Sequence, residues 1–152
     1  FFNQKTYIMQ NSIESKKVVS SSNLVNLFAE KNLKGGRFTL KSIASGKEFT
    51  YSISRSEFKG TWYTHVKVEN NYLEFRRLGT YRNGKITNKR ISVDSPSAKA
   101  IAFVLNAVEQ KRFDFLDSKM QTYHLGSCMR CGKTLTDSDS INRGLGPICA
   151  KL

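Results

Sequence analysis

Between residues 37 and 93, apolar and polar positions alternate in short runs, the period-2 signature of half-buried strands. Phe49, Tyr51 and Ile53 alternate with Thr50, Ser52 and Ser54 over Glu48–Arg55. Arg37–Leu40 is an earlier run, separated from it by a turn at Ser45-Gly46. Trp62–Val68 sets Val66 and Val68 against His65 and Lys67, and Asn70-Asn71 marks a turn after it. Leu73–Tyr81 and Lys85–Val93 read as a hairpin closed by Asn83-Gly84, a pair that tolerates positive φ at both positions.

At residue 96 the period becomes helical. Ser95 is a cap and Pro96 suits a first helical position. Ala98, Ile101, Ala102, Leu105 and Val108 then form one apolar stripe ending near Arg112. A shorter helix is expected from the caps at Ser20–Asn23 to Lys31, stopped by Gly35-Gly36. Residues 113–123 read as a link. The pattern predicts an α+β fold: a twisted antiparallel sheet of about five strands with a packed helix. The expected division is a flexible arm over 1–20, a basic domain over 21–112 and a C-terminal module over 113–152. A chain of 152 residues suits one domain with a small addition.

Composition adds a core and a charge. Hydrophobic residues make up 39% of the chain, with ten Phe and six Tyr, enough to bury. Lys and Arg number 25 against 12 Asp and Glu, a formal net charge of +13. Such an excess suits a polyanion, with nucleic acid the first expectation and an acidic protein surface the second. No run approaches the roughly 20 apolar residues of a membrane span, and the first ten residues lack a secretory leader. The three cysteines are odd in number and all lie within residues 128–149, which argues for a metal site in a reducing cytoplasm rather than a disulfide framework.

Cys128 and Cys131 have the C-x2-C spacing that lets one tight turn aim two thiolates at one ion, and Cys149 follows at a zinc-loop distance. Gly132 leaves the turn unhindered. Zinc in a structural site takes four ligands. His124, four residues before Cys128, is the nearest imidazole and the expected fourth, with Asp137 and Asp139 as fallback oxygen donors. Four protein ligands would leave no position for a reacting water, so the expected Zn²⁺ is structural.

Cys131-Gly-Lys-Thr-Leu-Thr-Asp137, then Ser140-Ile141, then Gly144-Leu-Gly-Pro-Ile-Cys149 resembles the signature of an uncharacterised zinc-binding family found mostly in bacteriophages and mobile elements. Gly36–Leu40, Ser45–Tyr51, Leu78–Thr80 and the segment after Ser95 fit the family's upstream part, so the resemblance runs from about residue 35 to 152. The family has Ile where Leu145 stands and Pro where Ser138 stands. The resemblance implies an architecture, a metal and a phage-type setting in the host cytoplasm, and it supplies no mechanism.

Residues 34–90 hold 13 Lys and Arg against 4 Asp and Glu, so nine of the net positive charges sit in the β region. Lys67, Arg76, Arg77, Arg82, Lys85, Lys89 and Arg90, with Trp62 as a stacking ring, form the expected nucleic-acid surface. Cations for phosphates and rings for bases suit single-stranded DNA or RNA. No phosphate-cradling glycine loop, paired carboxylates or Ser-His-Asp set is present, so catalysis is not expected. The competing expectation is an adaptor or inhibitor aimed at a host or phage protein complex.

Overall fold

A computed structural model describes residues 17–19, 36–58, 60–68 and 74–151. The helix expected over 23–31 and most of the N-terminal arm lie outside these residues.

Among the described residues, eight strands form one antiparallel sheet: β1 (Lys17–Val19), β2 (Gly36–Ser42), β3 (Glu48–Arg55), β4 (Trp62–Lys67), β5 (Phe75–Arg82), β6 (Lys85–Asn88), β7 (Ile91–Ser92) and β8 (Met120–His124). Their spatial order is β1-β8-β2-β3-β4-β5-β6-β7. The helices among the described residues are α1 (Pro96–Glu109), α2 (Phe113–Lys119), α3 (Ser138–Arg143) and α4 (Pro147–Lys151). The fold is α+β, with more strands than the expected five or so.

The added strands have separate causes. Lys17–Val19 sits in the expected arm but pairs with β8, Lys17 opposite His124. The hairpin partner of β5 breaks at Lys89 and Arg90, both at positive φ, and so becomes β6 and β7. The segment expected as a link is instead α2 followed by β8. Met120, Thr122 and His124 alternate as buried positions with Gln121 and Tyr123 between them, and β8 fills the slot between β1 and β2. The sheet therefore crosses the sequence division expected at residue 113.

One face of the sheet carries α1. Phe38, Tyr51, Ile53, Trp62, Tyr81 and Ile86 pack there against Ile101, Val104 and Leu105. Ser95 caps α1 by accepting from the Ala98 amide. Two phenols pin its ends. Tyr51 donates to the Ser97 carbonyl at 2.6 Å, and Tyr81 donates to the Glu109 carboxylate at 3.1 Å. Burial raises both phenol pKa values well above the ordinary value, and the Glu109 charge adds to the effect at Tyr81. Both phenols therefore stay protonated donors.

Asn83 and Gly84 both take positive φ in the β5–β6 turn, as the hairpin signal requires. A bulge falls between the β4 and β5 pairings Thr64↔Gly79 and His65↔Arg77. It moves Leu78 into the core and decides which of the two neighbouring β5 cations takes which face. Arg76 stands opposite Val66, on the helix side, whereas Arg77 stands opposite His65 on the other.

Candidate metal centre and basic sheet face

The cysteine module begins where β8 ends. The Cys128 amide donates to the Lys133 carbonyl, and the Gly132 amide to the Cys128 carbonyl, which closes a tight knuckle with Gly132 at φ +81°. The Arg37 amide donates to the Met129 carbonyl at 2.8 Å and the Met129 amide to the Gly144 carbonyl at 2.8 Å. These bonds stitch the knuckle to β2 on one side and to the end of α3 on the other. Asp137 caps α3 by accepting from the Ser140 amide, and Pro147 opens α4, which carries Cys149.

This scaffold brings the sulfurs of Cys128, Cys131 and Cys149 within 4.8 Å of one another. Cys128 and Cys149 are buried and Cys131 is exposed. Burial alone would raise the Cys128 thiol, but hydrogen bonding to the Cys131, Gly146 and Arg130 backbone outweighs it and holds this thiol below its ordinary value. Burial, together with the two neighbouring sulfurs, pushes Cys149 up to about 12. Three thiolates this close repel one another unless a cation sits among them. The soft sulfur donors and the tight C-x2-C turn suit such an ion. The three cysteines could bind a metal ion.

His124 does not join them. Its Nδ1 accepts from the Gly126 amide at 2.9 Å, and its Nε2 lies 2.6 Å from the Ile141 carbonyl. A carbonyl only accepts, so Nε2 carries the proton and the imidazole is neutral. Both nitrogens are spent, and no lone pair faces a metal. The expected fourth ligand is instead a fully buried strut between the end of β8 and α3. Of the fallback donors, Asp137 lines a cavity with Cys131 and Cys149 but uses its carboxylate as the α3 cap, and Asp139 is exposed. The hydrogen bond to Ser140 holds the Asp137 carboxyl below its ordinary value.

The sheet face opposite α1 is polar. Register places Arg37, Ser52, His65 and Arg77 in one row across β2 to β5. Lys41, Lys67, Arg82 and Lys85 share this face, with Glu48 opposite Lys41 as its acid. Arg37 lies over the Phe75 ring at 5.0 Å, and Arg82 over the Phe58 ring at 6.0 Å. Phe58 and Tyr63 are exposed at 60% and 39%, so this face carries accessible rings as well as cations.

Sequence reasoning sorted these residues imperfectly. Lys67, Arg77, Arg82 and Lys85 share this face. Arg76 is on the other face, beside Val66, Phe49 and Ser97. Lys89 and Arg90 lie in the β6–β7 turn, beyond the strand rows. Trp62 is only 3% exposed and belongs to the core, under Arg55 at 5.8 Å, so it offers no stacking surface. Arg37, Lys41 and Phe58 went unrecognised. Strand parity alone could have flagged Arg37 and Lys41, since both alternate with Phe38 and Leu40.

A family model described as a family of unknown function, DUF6011, matches residues 119–152. The match begins just before β8 and takes in the whole cysteine module. No curated protein matches the chain. No solved structure matches it either. Among the described residues, no helix is long and apolar enough to cross a membrane.

Proposed function

We propose that this protein is a small phage-type accessory protein of the host cytoplasm, in which a structural zinc ion staples the C-terminal module and the sheet face opposite α1 binds single-stranded DNA or RNA. One observation carries the reading. Arg37, Lys67, Arg77, Arg82 and Lys85 project from the face that α1 leaves uncovered, with exposed Phe58 and Tyr63 beside Arg82. Cations arranged with accessible rings serve phosphates and bases together. Among the described residues this face has no recognition helix, so contact is dominated by the backbone and is strongly salt-dependent. The reading assigns binding and no catalysis.

The test is retention of a labelled single strand by the zinc-loaded protein at about 50 mM salt, followed by a salt titration. Binding that weakens steeply with salt and falls on Arg77→Gln with Arg82→Gln supports the reading. Absence of binding at low salt ends it.

A further inference from the structure

The cysteine cluster is one donor short of a closed zinc site. The chain has three Cys and two His, all of them among the described residues. The three sulfurs converge. The His124 ring is spent on the Gly126 amide and the Ile141 carbonyl, and His65 stands on β4 between Ser52 and Arg77. Among the described residues no carboxylate joins the cluster either, and Asp137 serves as the α3 cap. A tetrahedral ion held by three protein donors keeps its fourth position for a ligand from outside.

The surroundings say what kind of ligand fits. Cys131 is exposed, and with Cys149 it borders a cavity of about 380 Å³. A lone water takes only about 30 Å³. Leu135, Pro147 and Ile148 give the cavity apolar lining, and Lys133 brings a cation to it. Ile148 is 70% exposed, so apolar surface reaches the solvent side.

We propose that the metal centre takes a small thiol from this cavity as its fourth ligand, bound as the thiolate. The proposal rests on reading the three sulfurs as a metal centre. A fourth soft sulfur completes a zinc site as a fourth cysteine would. The thiol gives its proton to solvent and its sulfur lone pair to the ion, and nothing is oxidised. Three thiolates around a divalent ion leave one negative charge, and the fourth makes it two. Arg130, held between Cys128 and Cys131 at 8% exposure, and Lys133 offset that charge. The carbon end of the thiol meets the apolar lining, which offers a water nothing.

The test uses the full chain loaded with cobalt, without oxygen, and titrated with mercaptoethanol. Ethylene glycol is the oxygen counterpart. The thiol should raise the thiolate-to-cobalt charge-transfer absorption by about one third, the ratio of four thiolates to three, and ethylene glycol should not. Metal content is measured throughout. Native mass spectrometry of the zinc-loaded chain should show one thiol adduct that leaves with the zinc on chelation, which separates coordination from a mixed disulfide. Ile148→Asp places a like charge beside the entering thiolate and should weaken it several-fold at unchanged metal content. Asp137→Asn should leave both the bands and the thiol affinity as in the wild type. Bands indifferent to thiol at full metal content overturn the proposal and leave the metal centre standing. A change in the bands of Asp137→Asn before thiol is added makes that carboxylate the fourth ligand and overturns it too. Failure of the wild type to bind cobalt or zinc ends both readings.

Discussion

The His124 ring donates to the Ile141 carbonyl across 17 residues of chain, at 2.6 Å, while its other nitrogen accepts from the Gly126 amide. The imidazole thus joins the last strand of the sheet to the helix that returns the chain toward Cys149. It lies outside the cysteine cluster and supports it by holding the backbone. His124→Ala should lower stability by about 2–4 kcal/mol, because it leaves a buried carbonyl and an amide unpaired. With cobalt as a spectroscopic replacement, the thiolate charge-transfer intensity and the ligand-field bands should stay as in the wild type. A shift of those bands in a folded variant would make His124 a ligand after all.

Removing the metal should act locally. The module from Gly126 to Lys151 contributes Cys128, Met129, Leu135, Leu145 and Cys149 to the buried core it shares with the sheet, few of them large apolar side chains. Zinc binding commonly supplies folding free energy on the order of 10 kcal/mol to modules of this size. Chelation should therefore abolish amide protection over 126–151 in hydrogen exchange. Protection in β3, β4 and β5 should persist. Cys149→Ser should reproduce the chelated pattern, and uniform loss of protection would show that the sheet depends on the metal too.

Asp137 makes the module acid-sensitive with a definite sign. Its folded carboxyl is held below the ordinary value, chiefly by hydrogen bonding to Ser140. A depressed acid contributes stability above its unfolded value and loses it as pH falls through the folded one. Wild type should thus lose stability between about pH 5 and pH 3 that Asp137→Asn does not, since Asn can still cap but does not titrate there. The difference between their acid-melting profiles isolates this carboxylate from the protonation of the thiolates, which both proteins share.

Much of this architecture is written in local pattern. Alternation from Phe49 to Ile53 marks β3, Asn83-Gly84 marks the β5–β6 hairpin, and the spacing of Cys128, Cys131 and Cys149 marks three convergent sulfurs. What the sequence concealed depends on partners distant in the chain. Met120 to His124 is short and mixed in polarity, so nothing local distinguishes a central strand from a link. His124 sits at a ligand's spacing, but only the position of Ile141 shows where the ring is committed. Arg76 and Arg77 must lie on opposite faces, but only the bulge at Leu78 shows which of them faces away from α1.

That bulge depends on a close approach. A Cβ placed on Gly79 would collide with the Thr87 carbonyl of β6 and press on the Ile86 side chain. Both obstacles are parts of the neighbouring strand, one of them backbone, so the strand itself must move. Gly79→Ala should cost about 1–3 kcal/mol, as overpacking in a core does. Thermal melting would register the loss, and unchanged stability would mean that β6 shifts freely.

The separation of Arg76 from Arg77 gives the sharpest check on the basic face. The two variants Arg76→Gln and Arg77→Gln remove the same charge at neighbouring positions, so long-range attraction falls equally in both. Only Arg77 stands in the row with His65, Ser52 and Arg37. If a single strand lies on that face, Arg77→Gln should lower the slope of log affinity against log salt by about one phosphate contact, and Arg76→Gln should leave it nearly unchanged. Trp62→Phe should lower the melting temperature without altering the slope, because Trp62 is in the core. Equal losses for Arg76 and Arg77 would mean that the chain attracts polyanions by overall charge, with no defined face.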